Sequence, residues 1–283
     1  MIQKTIRKSF CLKGHGVHFN KKAEVIFHPA EPNTGIRFLL LDKGKQVTVS
    51  ARMDSLAHTH YQLSLKKKSV VIHTVEHLMS ALYGLGISNC LIETEDLEIP
   101  ILDGSSFPFV EQLLSCGLVE QGQSIPVKET PHAFTVHRDM GHITVQPSDF
   151  LEIHCQLDYQ HPDITKESFH YIHSPDSFVT EISKARTFGF LSDWEPLKSK
   201  GYALGSNLEN TMVFDSQKLV NPPRRYPEEC ARHKILDFMA ALSLLEYRVK
   251  GRFDLYRSGH SMDTYFVSEL NKVLQNELNN ILE

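Results

Sequence analysis

Sixteen histidines in a chain of 283 residues set the first question. Histidine is the commonest metal ligand and the side chain that titrates nearest to neutral pH. The sharpest local pattern is His73-Thr74-Val75-Glu76-His77. On a helix, His73 and His77 would lie one turn apart on one face, with Glu76 beside the second. A metal ligand next to a carboxylate suits metal-assisted hydrolysis. The ion brings the pKa of a bound water down to about 7, and the carboxylate takes its proton. Two histidines at the edge of a core, beside a surface glutamate, would leave the same string.

The second pattern is Arg232-His233-Lys234-Ile235-Leu236-Asp237. His233 and Asp237 are i, i+4 on a helix and can face one ion. Ile235, Leu236 and Met239 lie mainly on another face and anchor the helix in a core. An exposed His–Asp pair is the plainer account of that spacing alone. Together, the two helices offer His77, His233 and Asp237: nitrogen and oxygen ligands with one position left open, the pattern of a catalytic zinc site.

Other strings carry weaker signals. Arg257-Ser258-Gly259-His260 follows a strand and precedes a helix, where a histidine can point into a cleft as a general acid or simply cap the helix. Ala185-Arg186-Thr187-Phe188-Gly189-Phe190 offers a hydroxyl and two flat rings, although Phe188 and Phe190 alternate as in a half-buried strand. The stretch from Glu98 to Ser105 reads as a turn into a capped helix. No G-x-S-x-G elbow and no G-x-x-x-x-G-K-[ST] phosphate loop occurs. Gly84-Leu85-Gly86 lacks the third glycine of a dinucleotide fingerprint.

Two halves with a similar order of elements must carry these residues. The first has strand-like runs at Thr5–Leu12, Ala23–His28 and Gly35–Leu41, and a helix over residues 73–86. Val75, Leu78, Met79 and Leu82 give that helix its apolar period. A strand at Asn89–Thr94 and a helix at Ser106–Cys116 follow. The second half has strands at Ile125–His137, His142–Gln146 and Leu151–Leu157. It continues with a helix at Glu228–Tyr247, a strand at Val249–Tyr256 and a terminal helix at Met262–Ile281. The polar segment Val119–Lys128 reads as a linker. Inserts are expected at about Val47–Ser69 and Thr187–Asn221. The pattern predicts a duplicated α+β architecture, each domain a sheet layered against helices, with boundaries at 1–120 and 129–283.

Composition narrows the class. Apolar residues make up 41% and charged residues 23%, which is ordinary globular usage. Thirty basic against 34 acidic residues give a net charge of −4. That argues against nucleic acid as a partner, yet leaves room for a local basic pocket. Cys11, Cys90, Cys116, Cys155 and Cys230 are scattered, without a C-x-x-C pair. They read as reduced thiols, and a cytoplasmic location is expected. No run approaches the roughly 18–20 apolar residues of a membrane span, so no transmembrane segment is expected. The N-terminus lacks an export signal's apolar core.

The strings HTVEHLMSALYGLGISN, EIPILDGSSFPFV, ISKARTFGF, RHKILD and SGH occur in this order. With KGHGVHF and PAEPNTGIRF, they resemble the zinc-dependent UDP-3-O-acyl-N-acetylglucosamine deacetylases of Gram-negative bacteria, over nearly the whole chain. The resemblance implies two α+β domains with zinc in the cleft between them. It also implies removal of acetate from the 2-acetamido group of UDP-3-O-acyl-N-acetylglucosamine, the committed step of lipid A (lipopolysaccharide) synthesis. His77, His233 and Asp237 would be the zinc ligands, and iron(II) would suit the same set. Glu76 would be the general base and His260 the general acid. Thr187 would help stabilise the oxyanion, and Lys234 would lie near the reacting amide or the diphosphate. Phe188, Phe190, Asp193, Ser206 and Arg257 sit where the family contacts substrate. His73 is not a ligand on this reading. A monomer is expected.

The chain also departs from the family pattern. Ala241 stands where the family usually has an aspartate, which would leave His260 less readily protonated. On that account Ala241→Asp raises the basic limb of the pH–rate profile. Ser261-Met262-Asp263-Thr264 follows SGH, where a small residue, leucine and two asparagines are usual. Two alternatives stay open: a catalytically weakened homologue that binds the UDP-acyl-sugar, and a zinc peptidase of the H-x-x-E-H type, in which His73 would be a ligand.

Overall fold

The structure, a computed structural model, describes residues 1–42, 45–57 and 59–282. His58, inside the expected first insert, and Glu283 lie outside the described residues. The chain opens with β1 (Ile2–Ile6), β2 (Phe10–His15), β3 (Lys22–His28), β4 (Ile36–Asp42) and β5 (Lys45–Ser50). A small hairpin, β6 (Leu65–Lys67) and β7 (Val70–Ile72), leads into α1 (Glu76–Gly84). Then come β8 (Cys90–Thr94) and α2 (Phe107–Cys116).

The second half begins with β9 (Leu118–Ser124), β10 (Val127–Glu129), β11 (Phe134–Arg138), β12 (Gly141–Gln146), β13 (Leu151–Gln156) and β14 (Ser168–Ile172). A single turn, α3 (Pro175–Ser177), runs on into a wide turn over 178–182. Next come β15 (Phe188–Phe190), α4 (Leu191–Ser199) and β16 (Met212–Phe214). The chain closes with α5 (Glu229–Leu242), β17 (Arg248–Tyr256) and α6 (His260–Leu282).

One topology occurs twice. The first sheet has the order β2-β3-β8-β4-β5, and the second β11-β12-β17-β13-β14, with β10 also beside β17. In each, two hairpins flank a late strand that is antiparallel to one and parallel to the other: β8 between β3 and β4, β17 between β12 and β13. The alternation explains the faces. Ile143, Val145, Ile153, Cys155, Phe253 and Leu255 are buried, while their neighbours His142, Thr144, His154 and Asp254 face outward. The α+β expectation and the duplicated element order therefore hold.

The two helices that carry the key strings are internal. Every residue of α1 is buried, as are nearly all of α5, so neither shows the one-sided stripe of a surface helix. They pack on each other, and α5 also lies against β13 and β14.

Several boundaries differ from the sequence reading. Thr5–Leu12 is two strands, because β1 pairs with β9 while β2 pairs with β3. The polar segment Val119–Lys128 is largely strand: β9 runs beside β1 and β10 beside β17. Both are mostly exposed, so their composition looks like a loop. Ile125–His137 breaks around Thr130-Pro131, since proline lacks the ladder N–H. Val47–Ser50 belongs to the first sheet through β4, not to an insert. Helix α5 ends at Leu242 rather than Tyr247: tight turns close it at Leu244 and Leu245, which stay buried and so extended the apolar pattern. Ser168–Ile172 was not anticipated as a strand. Among the described residues, no helix is long and apolar enough to cross a membrane.

Candidate active site

Helix α1 starts later than its apolar period suggests. Thr74 has φ 58°, in the left-handed region, so the first helical residue is Glu76. His73 lies ahead of the helix, bridged to Glu98: its N–H donates to Leu97 O at 2.8 Å and its carbonyl accepts from Ile99 N at 3.0 Å. Its ring Nδ1 is 3.1 Å from Ser64 Oγ. His73 is therefore not one turn from His77, and the H-x-x-E-H ligand pair does not form. Glu98, read as part of a turn, fixes this corner. Its carboxylate accepts from His18 N at 2.7 Å, Phe19 N at 2.9 Å and Thr74 Oγ1 at 3.1 Å. No spacing in the sequence marked it.

His77, from α1, meets His233 and Asp237, from α5. One ligand atom from each lies within 4.8 Å of the others, and all three residues are buried. His233 Nδ1 is 3.0 Å from Ala185 O, which makes Nδ1 the donor and leaves Nε2 free to bind, 3.5 Å from Asp237 Oδ1. The His77 and His233 rings stand edge to face with centroids 5.0 Å apart. Ser106, expected to cap α2, instead donates its hydroxyl to His77 O at 2.7 Å and so braces α1 from behind. His77 Nδ1 and Asp237 Oδ1 are buried with no hydrogen-bond partner. Buried unpaired polar atoms are costly. Convergent nitrogen and oxygen donors with such orphans fit a divalent transition-metal cation.

Charged groups crowd this triplet. Lys234 Nζ is 3.0 Å from Asp237 Oδ2, and His260 Nε2 is 3.9 Å from the same oxygen. Burial works against the charge on Lys234, but Asp237 outweighs it and holds the ammonium protonated. Burial likewise opposes the charge on Asp237, and Lys234 and the histidines override it, so its carboxyl lies well below the usual range. Burial lowers His77 to about 3 and His260 to about 4, so His77 is neutral, as a ligand must be. Glu76 accepts a hydrogen bond from Leu63 N at 2.9 Å. Its burial raises its pKa to about 8, within the range that suits a general base.

These groups open onto a cavity of about 1130 Å³, lined also by Thr187, Phe188, Phe190, Asp193, Ser206 and Arg257 but not by His73. Thr187 lines it, held by its N–H to Gly104 O at 2.7 Å and its carbonyl to Met212 N at 2.9 Å. Phe188 and Phe190 form β15, as their alternation suggested, and enclose Tyr159, at centroid distances of 5.9 and 5.4 Å. Asp193 lies exposed in the first turn of α4. Ser206 Oγ pairs with Thr211 Oγ1 at 2.9 Å. Arg257, with φ 51°, lies 3.9 Å from Asp158. Tyr159, His18 and Trp194 also line the cavity and were not foreseen. They come from separate segments with no shared period.

Comparison with known proteins fits this architecture. The family model described as UDP-3-O-acyl N-acetylglycosamine deacetylase (LpxC) matches residues 3–272. A protein of Myxococcus xanthus named UDP-3-O-acyl-N-acetylglucosamine deacetylase is 36% identical over 269 residues, covering 95% of this chain and 86% of that protein. Proteins of the same name from Histophilus somni and Coxiella burnetii are each 36% identical, over 95% of this chain and 89% of theirs. A match of this extent decides the matter: the chain belongs to the UDP-3-O-acyl N-acetylglycosamine deacetylase family.

Proposed function

We propose that this chain is a cytoplasmic zinc-dependent amidase that removes acetate from the 2-acetamido group of UDP-3-O-acyl-N-acetylglucosamine in lipid A biosynthesis. The observation that carries the reading is the convergence of His77, His233 and Asp237 beside Glu76, in a protein of this family. Zinc fits the donor set, and iron(II) would suit it as well. The bound cation supplies Lewis acidity: it polarises the amide carbonyl and makes water acidic.

The chain's own residues do the rest. Glu76 takes the proton from the attacking water; its burial next to His77 supports that role, because a raised pKa makes it a stronger base. His260 faces the same group from α6 and protonates the departing amine. The hydroxyl of Thr187 donates toward the developing oxyanion. Lys234, held charged by Asp237, adds positive field where negative charge grows. Phe188 and Phe190 give the acyl-sugar flat apolar walls, and Ser206 lines the same cavity. Arg257 and Asp193 lie along it too and contact the polar parts of the substrate. The two halves, about 1–120 and 129–283, act as domains around this site, and the protein works as a monomer.

The test is acetate release from UDP-3-O-acyl-N-acetylglucosamine by purified protein. Release that stops with a strong chelator and returns with zinc supports the reading; zinc-loaded protein that binds the UDP-acyl-sugar yet releases none overturns it.

A further inference from the structure

Glu229 opens α5 and has no task in the mechanism above. It is fully buried and stands one turn before His233, so the two side chains share a face of the helix. Oε1 of its carboxylate accepts from the Arg186 backbone N–H at 3.1 Å and from Arg186 Nε at 2.8 Å. Oε2 accepts from Arg186 Nη2 at 3.2 Å and from the Arg225 backbone N–H at 2.6 Å. A buried ion pair accounts for the two guanidinium bonds, and exchanging such a pair for apolar side chains is often neutral for stability. It does not account for the grip on the Arg186 backbone.

That N–H belongs to the same peptide unit as the Ala185 carbonyl. The unit is planar and rigid, and its N–H and C=O point to opposite sides. The carbonyl end accepts from His233 Nδ1 at 3.0 Å, and the N–H end donates to Glu229 at 3.1 Å. One peptide is thus clasped by two side chains of α5, one turn apart. It cannot turn without breaking both bonds, so Glu229 sets where the Ala185 oxygen stands. That oxygen in turn fixes the tautomer and the ring direction of His233, whose Nε2 lies 3.5 Å from Asp237 Oδ1. The Arg186 side chain secures the clasp from outside, with Nη2 also donating to Pro223 O at 3.0 Å. Resting on the reading of His77, His233 and Asp237 as a metal centre, we propose that Glu229 is a positioning residue for that centre: through the Ala185–Arg186 peptide it aims the ring of His233.

The test is the double variant Arg186→Met/Glu229→Met in the full-length protein, with Arg186→Met alone as its companion. The double variant removes the ion pair without changing net charge and takes the acceptor from the peptide N–H. The companion removes the pair but keeps that acceptor. Zinc affinity is measured by competition with a chromophoric chelator, with no substrate present, and ligand geometry by the visible absorption of the cobalt(II)-loaded protein. Expected are zinc binding weaker by about tenfold or more with an altered cobalt spectrum in the double variant, and binding within about threefold of the parent with the parent's spectrum in Arg186→Met. Should the double variant fail to fold, Glu229→Asp keeps both charges but draws the carboxylate back by one methylene; it is expected to weaken zinc binding by about threefold or more and to alter the spectrum. Parental zinc affinity and spectrum in the double variant, or in Glu229→Asp in its place, overturn the proposal even if the melting temperature falls, because Glu229 then serves the fold alone. So does an equal loss in Arg186→Met, which assigns the effect to the ion pair. Because zinc affinity is read without substrate, the result stands even if the parent releases no acetate; a parent that binds no zinc overturns the metal reading itself.

Discussion

On the proposed mechanism, Glu76 is the side chain whose replacement should separate metal binding from chemistry. It is buried beside His77 but stands outside the triplet of convergent ligand atoms. Glu76→Gln keeps the shape and the hydrogen bond from Leu63 but removes the base. Acetate release is expected to fall about 10²–10⁴-fold, with zinc content by metal analysis unchanged. His73 and His233 make the complementary comparison. His73→Ala is expected to leave zinc content at the parent level, whereas His233→Ala empties the centre; the reverse result would restore the peptidase reading. Legibility at this scale followed the helical period. His233 and Asp237 could be paired from spacing because α5 is regular across them. His73 was paired with His77 wrongly, because one left-handed residue, Thr74, breaks the period and nothing in its side chain announces it. That His77 and not His73 belongs with the α5 pair came from family resemblance, since two helices 150 residues apart meet only through the fold.

At the scale of elements, the site depends on how closely α1 is seated. Gly84, its last residue, lies against the ring of Phe178, which is fully buried; a Cβ at this position would come within 2.3 Å of that ring. Gly84→Ala therefore has to push apart α1 and the wide turn over 178–182. A loss of about 1–3 kcal/mol is expected, read as a lower urea midpoint. Because His77 rides on the same helix, zinc affinity should fall with it; a variant as stable as the parent would show that the contact yields freely. Gly84 is the last residue of the helix, but the close approach that requires glycine comes from Phe178, 94 residues later, and has no local signature. The strands show the same divide. The alternation in β12, β13 and β17 was legible because one face is buried, whereas β9 and β10 looked like a linker because they are mostly exposed.

For the whole molecule, the two halves are joined by buried polar contacts as well as by α1 on α5. Arg248, at the start of β17, donates to Tyr83 O on α1 at 2.8 Å and stacks on the Tyr83 ring at 3.9 Å. His173 completes this joint: its ring stacks on Tyr83, and its Nδ1 is 3.0 Å from the Tyr171 hydroxyl. Burial first, and then the charge of Arg248, lower its pKa from 6.5 to about 4. Between those values the unfolded chain binds a proton at this residue and the folded chain does not. Stability contributed by the neutral ring is thus full above pH 6.5 and is lost as pH falls toward 4. Urea unfolding of the metal-free protein should become easier across that window. His173→Gln, which keeps a hydrogen-bonding group but cannot titrate, should make the dependence shallower by up to about 1.4 kcal/mol per pH unit, the value of one proton. All other titrating groups are common to both proteins and cancel in the comparison. An identical slope in the two would mean that His173 is protonated as readily in the folded joint as in the open chain, and that the charge on Arg248 is already balanced by its neighbours.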